Sequence, residues 1–147
     1  MSDLIPISRI ERQAHHRPWS REGIAHELIP GGLSIFWVAC RKEALDEIKG
    51  YICFRVLESE LYLLNLAVEN RCRRRGIGSR LLNLSLRLGL RRGAARAVLD
   101  VHRENSKAIS FYRSAGFQFV EPLWKNKKIF LVMEMQFPES CLDFNIM

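Results

Sequence analysis

The sequence predicts an α/β (α+β) fold: a mixed, mostly antiparallel sheet of roughly six to seven strands with about four helices on its two faces. Three observations carry this. Several short apolar runs, rich in β-branched and aromatic residues, read as strands. The stretch from Leu61 to Val101 reads strand–helix–strand, the pattern of one parallel, right-handed crossover. Hairpin-like links on both sides of it argue for antiparallel pairing elsewhere. At 147 residues the chain is expected to be one domain spanning 1–147. A chain of that size buries roughly two-thirds of its unfolded surface in one core. It therefore needs neither a disulfide framework nor a structural metal.

Taken in order, Leu4 to Ile7 is expected as a short strand. Ile10 to His16 reads as a helix that ends before Pro18, because proline disfavours helix at the residue preceding it. Ser20 can open a second helix to about Leu28, which Pro30-Gly31-Gly32 closes. Leu33 to Cys40 is an apolar strand, Arg41 to Glu47 a polar turn, and Ile48 to Leu57 a second strand. Glu58-Ser59-Glu60 makes a tight turn into Leu61 to Val68, whose continuous apolar character suits a strand covered on both faces. Glu69 to Gly78 is a polar, basic loop. A helix then runs from about Ile77 to Arg92, with Leu81, Leu84 and Leu88 expected inward and Arg80, Asn83, Arg87 and Arg91 outward. Gly93 is placed to end it. Ala94 to Val101 is a buried strand, Asn105 caps a helix reaching Ala115, and Gly116 stops that helix. Phe117 to Val120 and Ile129 to Met135 are the last strands, joined by a polar connection from Glu121 to Lys128.

The charge of +7 is uneven. Residues 70–99 hold nine arginines and no acid, a local +9 that leaves −2 for the rest of the chain. Such a block suits nucleic acid, an acidic lipid surface or a small polyanion, or is simply a solvated helix face. Cys40, Cys53, Cys72 and Cys141 form no C-x-x-C pair and no metal-ligand pattern with the histidines. Cys40 and Cys53 read as buried thiols. Cys72, among arginines, is expected to have a lowered thiol pKa. No signal peptide and no apolar run of membrane-spanning length appears. The expected setting is cytoplasmic, with no metal and no membrane partner.

The segment that carries chemistry is Arg73-Arg74-Arg75-Gly76-Ile77-Gly78, between a buried strand and an amphipathic helix. Its glycines permit positive φ and close backbone approach. The first-turn amides and the positive end of the helix dipole form an anion site suited to phosphate. Neighbouring arginines add bidentate capacity. The Walker pattern is absent, and Leu81 stands where a dinucleotide fingerprint needs its third glycine.

That loop resembles the (Q/R)-x-x-G-x-(G/A) signature of the GNAT superfamily of acetyl-CoA-dependent N-acetyltransferases. Leu64-Asn65-Leu66-Ala67-Val68 before it and Leu81-Leu82 after it fit as well. Glu104 to Phe117 resembles the family's N-x-x-A-x-x-x-Y-x-x-x-G-F segment at the expected separation. Ile10-Glu11-Arg12-Gln13-Ala14-His15 and Pro18-Trp19-Ser20 look like the opening helices of the RimI-type branch, which acetylates ribosomal-protein N-termini.

The resemblance implies acetyl-CoA as donor and the GNAT fold. It implies that amides of Arg73, Arg74, Arg75, Gly76, Ile77, Gly78 and Ser79 bind the diphosphate, and that Leu66 and Val68 pair with the pantetheine arm. Asn105 flanks that arm from the other side, and Tyr112 is the general acid. The branch pattern has Glu where Asp100 stands, so Asp100 is the implied base, one methylene short and needing a water relay or a shifted acceptor. Glu60 is a weaker candidate, and His102 shares a face with Asp100. The branch also carries two tyrosines before the last strand, where this chain has Glu121 to Lys128 with Trp124. The implied acceptor is a protein N-terminal amine, of a small-subunit ribosomal protein. The alternatives are a small-molecule amine acceptor, a GNAT chain that binds CoA without turnover, or a nucleic-acid module using the arginine block. The last is set aside because no aromatics interleave the arginines, as single-strand binders require; no direct nucleic-acid function is expected.

Overall fold

The structure is a computed structural model, and it describes residues 3–120 and 129–138. These form six strands in the order β1-β2-β3-β4-β6-β5. The strands are β1 (Ile35–Arg41), β2 (Ala44–Leu57), β3 (Glu60–Val68), β4 (Arg96–His102), β5 (Gln118–Phe119) and β6 (Phe130–Gln136). The α-helices are α1 (Leu4–Ala14), α2 (Arg21–Glu27), α3 (Ile77–Arg91) and α4 (Ser106–Ser114), with a 3₁₀ turn at Asn70–Cys72. The β1/β2, β4/β6 and β5/β6 pairs are antiparallel. The β3/β4 pair is parallel, Glu60↔Arg96 to Leu63↔Leu99, with α3 as its crossover.

Three expectations are corrected. Leu4 to Ile7 is not a strand but the first turn of α1. Pro6 is tolerated there because a first-turn residue has no intrahelical partner for an N–H. Ile7, Ile10, Glu11 and Ala14 then share one face, of which Ile7, Ile10 and Glu11 are buried. The expected turn from Arg41 to Glu47 is confined to Lys42-Glu43, and β2 already begins at Ala44. Finally, Leu84 points outward, 43% exposed, whereas Leu81, Leu82, Ser85 and Gly89 are buried. The inward stripe contains a serine and a glycine, so counting leucines misplaces it. Gly89 is needed for space: a Cβ there would lie 2.6 Å from Leu61 Cδ1.

The chain divides into two compact units. One comprises Met1–Arg55 and Asn65–Ser85, the other Val56–Leu64 and Leu86–Met147. The first has a core of Ile7, Ile10, Ile24, Ile48, Tyr51 and Ala67. Within it, Ser20 accepts from the Gly23 N–H at 3.0 Å and caps α2, as its sequence position predicts. The second buries Leu61, Leu63, Ala97, Leu99, Val101, Phe117 and Met133. Glu121 to Lys128, Trp124 included, Cys141 and the tail beyond Pro138 lie outside the described residues. Of the other cysteines, Cys53 is fully buried, and burial pushes its thiol up to about 12. Cys40 is only half-buried. The Cys72 Sγ lies 3.7 Å from Glu69 Oε2.

In the second unit Arg96 ties β4 to both neighbouring strands. Its Nε donates to Glu60 at 2.6 Å and its Nη1 to Glu134 at 3.1 Å. The Tyr62 hydroxyl and then Arg96 hold the Glu60 carboxyl below its usual 4.5. In the first unit Lys49 does the same for Glu69. A carboxyl lowered by folding adds stability above its unfolded value and loses it as pH falls through the folded one. The urea midpoint is therefore expected to fall from about pH 4.5 downward, and Glu60→Gln to flatten that decline. An equally steep acid decline in the variant would show that the Glu60–Arg96 pair does not contribute.

Candidate active site

The first unit contains the loop. β3 ends at Val68, and the Glu69 N–H donates to the Lys49 carbonyl at 2.8 Å. Asn70–Cys72 makes one tight turn, after which the Arg73 Nε donates back to the Val68 carbonyl at 3.3 Å. Arg74 at φ +62° and Gly76 at φ +77° then reverse the chain into α3. Glycine suits the second of these positions; an arginine at the first accepts the strained left-handed region. The first i→i−4 bond of α3 is from the Arg80 N–H to the Gly76 carbonyl at 3.0 Å. The amides of Ile77, Gly78 and Ser79 consequently have no partner within the helix, and they stand at the positive end of its dipole. Gly50 makes room beside this turn, since a Cβ would sit 3.1 Å from the Ala67 carbonyl and 3.2 Å from Ile77 Cγ2.

The electrostatics agree with the backbone. Arg73, Arg74 and Arg75 are exposed and enter none of the ion pairs among the described residues. The acid nearest in sequence, Glu69, is neutralised by Lys49 at 3.1 Å, with Arg9 at 3.9 Å. First-turn amides without a partner inside the helix, a helix N-terminus and guanidinium groups outside any ion pair among the described residues form a donor set suited to a diphosphate. Leu66 and Val68 belong to the same unit as this loop, beyond Leu63, where the β3/β4 ladder ends.

The second unit contains the other candidates. Asn105 caps α4, its side chain accepting from the Ala108 N–H at 3.2 Å. Tyr112 lies on α4 with its ring edge-on to Phe111 at 5.2 Å and to Phe117 at 5.7 Å. It is 9% exposed, and burial raises its phenol well above the ordinary value. Asp100 is exposed on β4, opposite Val132 of β6. The His102 Nδ1 accepts from the Glu104 N–H at 3.2 Å, which assigns the ring proton of the neutral form to Nε2. That tautomer has no free lone pair to act as a base. Glu60 is committed to Arg96 and Tyr62, and its lowered pKa weakens it as a proton acceptor.

One group escapes the sequence reading. Glu11 is 1% exposed, at the centre of a polar cluster in the first unit. Its Oε1 accepts from the Trp19 N–H at 2.8 Å, and its Oε2 from Asn65 Nδ2 at 3.1 Å and from the Tyr51 hydroxyl. His15 Nε2 lies 3.4 Å from that second oxygen, without hydrogen-bond geometry. The carboxylate thereby ties α1, the corner before α2, β2 and β3 together. A signal exists: Glu11 shares the Ile7–Ile10–Ala14 face once α1 is started at Leu4.

Against known proteins, the acetyltransferase (GNAT) family profile matches residues 4–117. The chain belongs to the GNAT acetyltransferases. Among its relatives, the [ribosomal protein bS18]-alanine N-acetyltransferase of Salmonella typhimurium is 30% identical over 116 residues, 79% of this chain and 75% of that protein. The crystal structure of the ribosomal-protein-S18-alanine N-acetyltransferase of Escherichia coli superposes with a TM-score of 0.76 at 25% identity, covering 92% of this chain and 88% of that one. The PaiA N-acetyltransferase of Thermoplasma acidophilum, solved with coenzyme A, has the same fold at a TM-score of 0.75 and 20% identity, covering 92% and 93% of the two chains. This GNAT chain is thus an N-acetyltransferase. No described helix is long and apolar enough to cross a membrane, and no group of His, Cys, Asp or Glu among the described residues could hold a metal ion.

Proposed function

We propose that this GNAT enzyme acetylates the α-amine of a protein N-terminus, that of a small-subunit ribosomal protein, in the cytoplasm. The observation that carries the reading is the match to bS18-alanine N-acetyltransferases along 79% of the chain. Acetyl-CoA supplies an acetyl thioester, from which the acetyl carbon leaves sulfur and bonds to the amine nitrogen. The amides of Arg73 to Ser79 hold the diphosphate, with Arg73, Arg74 and Arg75 adding charge beside it. The backbone of Leu66 and Val68, past the last β3/β4 pair, bonds the pantetheine arm, and Asn105 bonds it from α4. Asp100 receives the ammonium proton through a water. Tyr112 donates its proton to the departing thiolate, and burial keeps that phenol protonated at working pH.

A thiol-release assay on a panel of N-terminal peptides from ribosomal proteins, alongside free polyamines and aminoglycosides, tests the acceptor class. At least one peptide is expected to exceed every small amine in kcat/KM by about tenfold or more. Turnover of small amines with none of any peptide would move the acceptor to the small-molecule class.

A further inference from the structure

We propose that the outer face of α3 is a docking surface for the phosphate backbone of double-helical RNA. Arg80, Arg87 and Arg91 stand at i, i+7 and i+11 of this helix. At about 100° per residue they fall within roughly 40° of one another, in a straight row about 16 Å long. All three are exposed, as is Arg92 beside them. None enters the ion pairs among the described residues, so the row's charge is not neutralised among them. A helix C-terminus favours one cation in its last turn, which accounts for Arg91 and not for a row extending back to Arg80.

The partner follows from the row's chemistry. An unneutralised line of guanidinium groups, spaced about 6 to 10 Å apart along the axis, suits a partner with phosphates at regular intervals. The missing aromatics count against single-strand stacking but not against a duplex, whose backbone is bound by charge alone. An acidic bilayer would be met by a wider apolar flank than the single exposed Leu84. Choosing RNA over DNA rests on the ribosomal acceptor proposed above; the row itself does not. Arg80 lies beside the diphosphate loop, so the test uses Arg87 and Arg91.

Fluorescence anisotropy with a labelled 20-base-pair RNA duplex, read across about 50 to 200 mM KCl, measures binding without turnover, so a failed acetylation assay does not bear on it. Saturable binding is expected. Arg87→Gln/Arg91→Gln should weaken it about tenfold at 100 mM KCl and lower the slope of log K against log salt by about two. Arg87→Lys/Arg91→Lys should keep the slope, and acetyl-CoA affinity should be unchanged in both variants. The proposal fails if no saturable RNA binding occurs at 50 mM KCl, if the glutamine variant keeps the wild-type slope, or if phosphatidylserine vesicles bind the row more tightly than RNA does.

Discussion

Tyr112→Phe is expected to lower kcat by about 100-fold or more, with KM for acetyl-CoA within about twofold of wild type. A thiolate is expelled when the carbon–sulfur bond breaks, and a positioned proton donor is worth roughly two to four orders of magnitude in such a step. Phenylalanine retains the ring, which packs on Phe111 and Phe117, and removes the proton. With that ring packing kept, the fold should lose no more than about 0.5–1.5 kcal/mol. The direction of the pKa shift adds a second readout. Because burial raises the phenol, Tyr112 keeps its proton to a higher pH than an exposed tyrosine. The wild-type rate should therefore show no alkaline decline below about pH 9.5. A Tyr112→Phe enzyme with wild-type kcat would remove the general-acid role.

Glu11→Ala is expected to be the most damaging single change to the fold, at about 3–5 kcal/mol, or a Tm lower by roughly 10–15 °C. The carboxylate accepts from Trp19, Asn65 and Tyr51 at a point that is 1% exposed. Alanine removes the acceptor that these three donors share, at about 1–3 kcal/mol for each that water cannot reach. Tyr51→Phe removes one donor and leaves the others paired, for about 1–3 kcal/mol. Since both changes touch one network, Glu11→Ala/Tyr51→Phe should cost clearly less than the two losses added. Urea unfolding of the four proteins measures this. Additive losses, or a Glu11→Ala cost below about 1 kcal/mol, would mean that the cluster does not hold α1 to β2 and β3.

Elements that announce themselves by local chemistry are legible in the sequence. β3, α3 and α4 can be read nearly to the residue, because an apolar run, Gly76, the Asn105 cap and the Gly116 stop each act within a few positions. α1 is misleading where Pro6 and a short Leu-Ile run look extended in isolation. Only the tertiary burial of Ile7, Ile10 and Glu11 on one side makes a helix the better choice there. Leu84 teaches the same lesson from outside: hydrophobicity alone does not set the buried stripe when Ser85 and Gly89 provide the close packing. The diphosphate loop is legible as chemistry without its shape, since glycines, arginines and a following helix suffice to predict an anion site. The Glu11 cluster is not, because its partners Trp19, Tyr51 and Asn65 lie 8, 40 and 54 residues away. The commitment of Glu60 to Arg96, 36 residues on, is hidden for the same reason.

Tandem mass spectrometry of a bS18-type N-terminal peptide after incubation with acetyl-CoA and this chain tests acetyl transfer to a protein N-terminus most directly. One acetyl group is expected, on the α-nitrogen of the first residue, and none on the same peptide with its α-amine formylated. Acetylation of lysine side chains alone, or an equal yield on the formylated peptide, would contradict it.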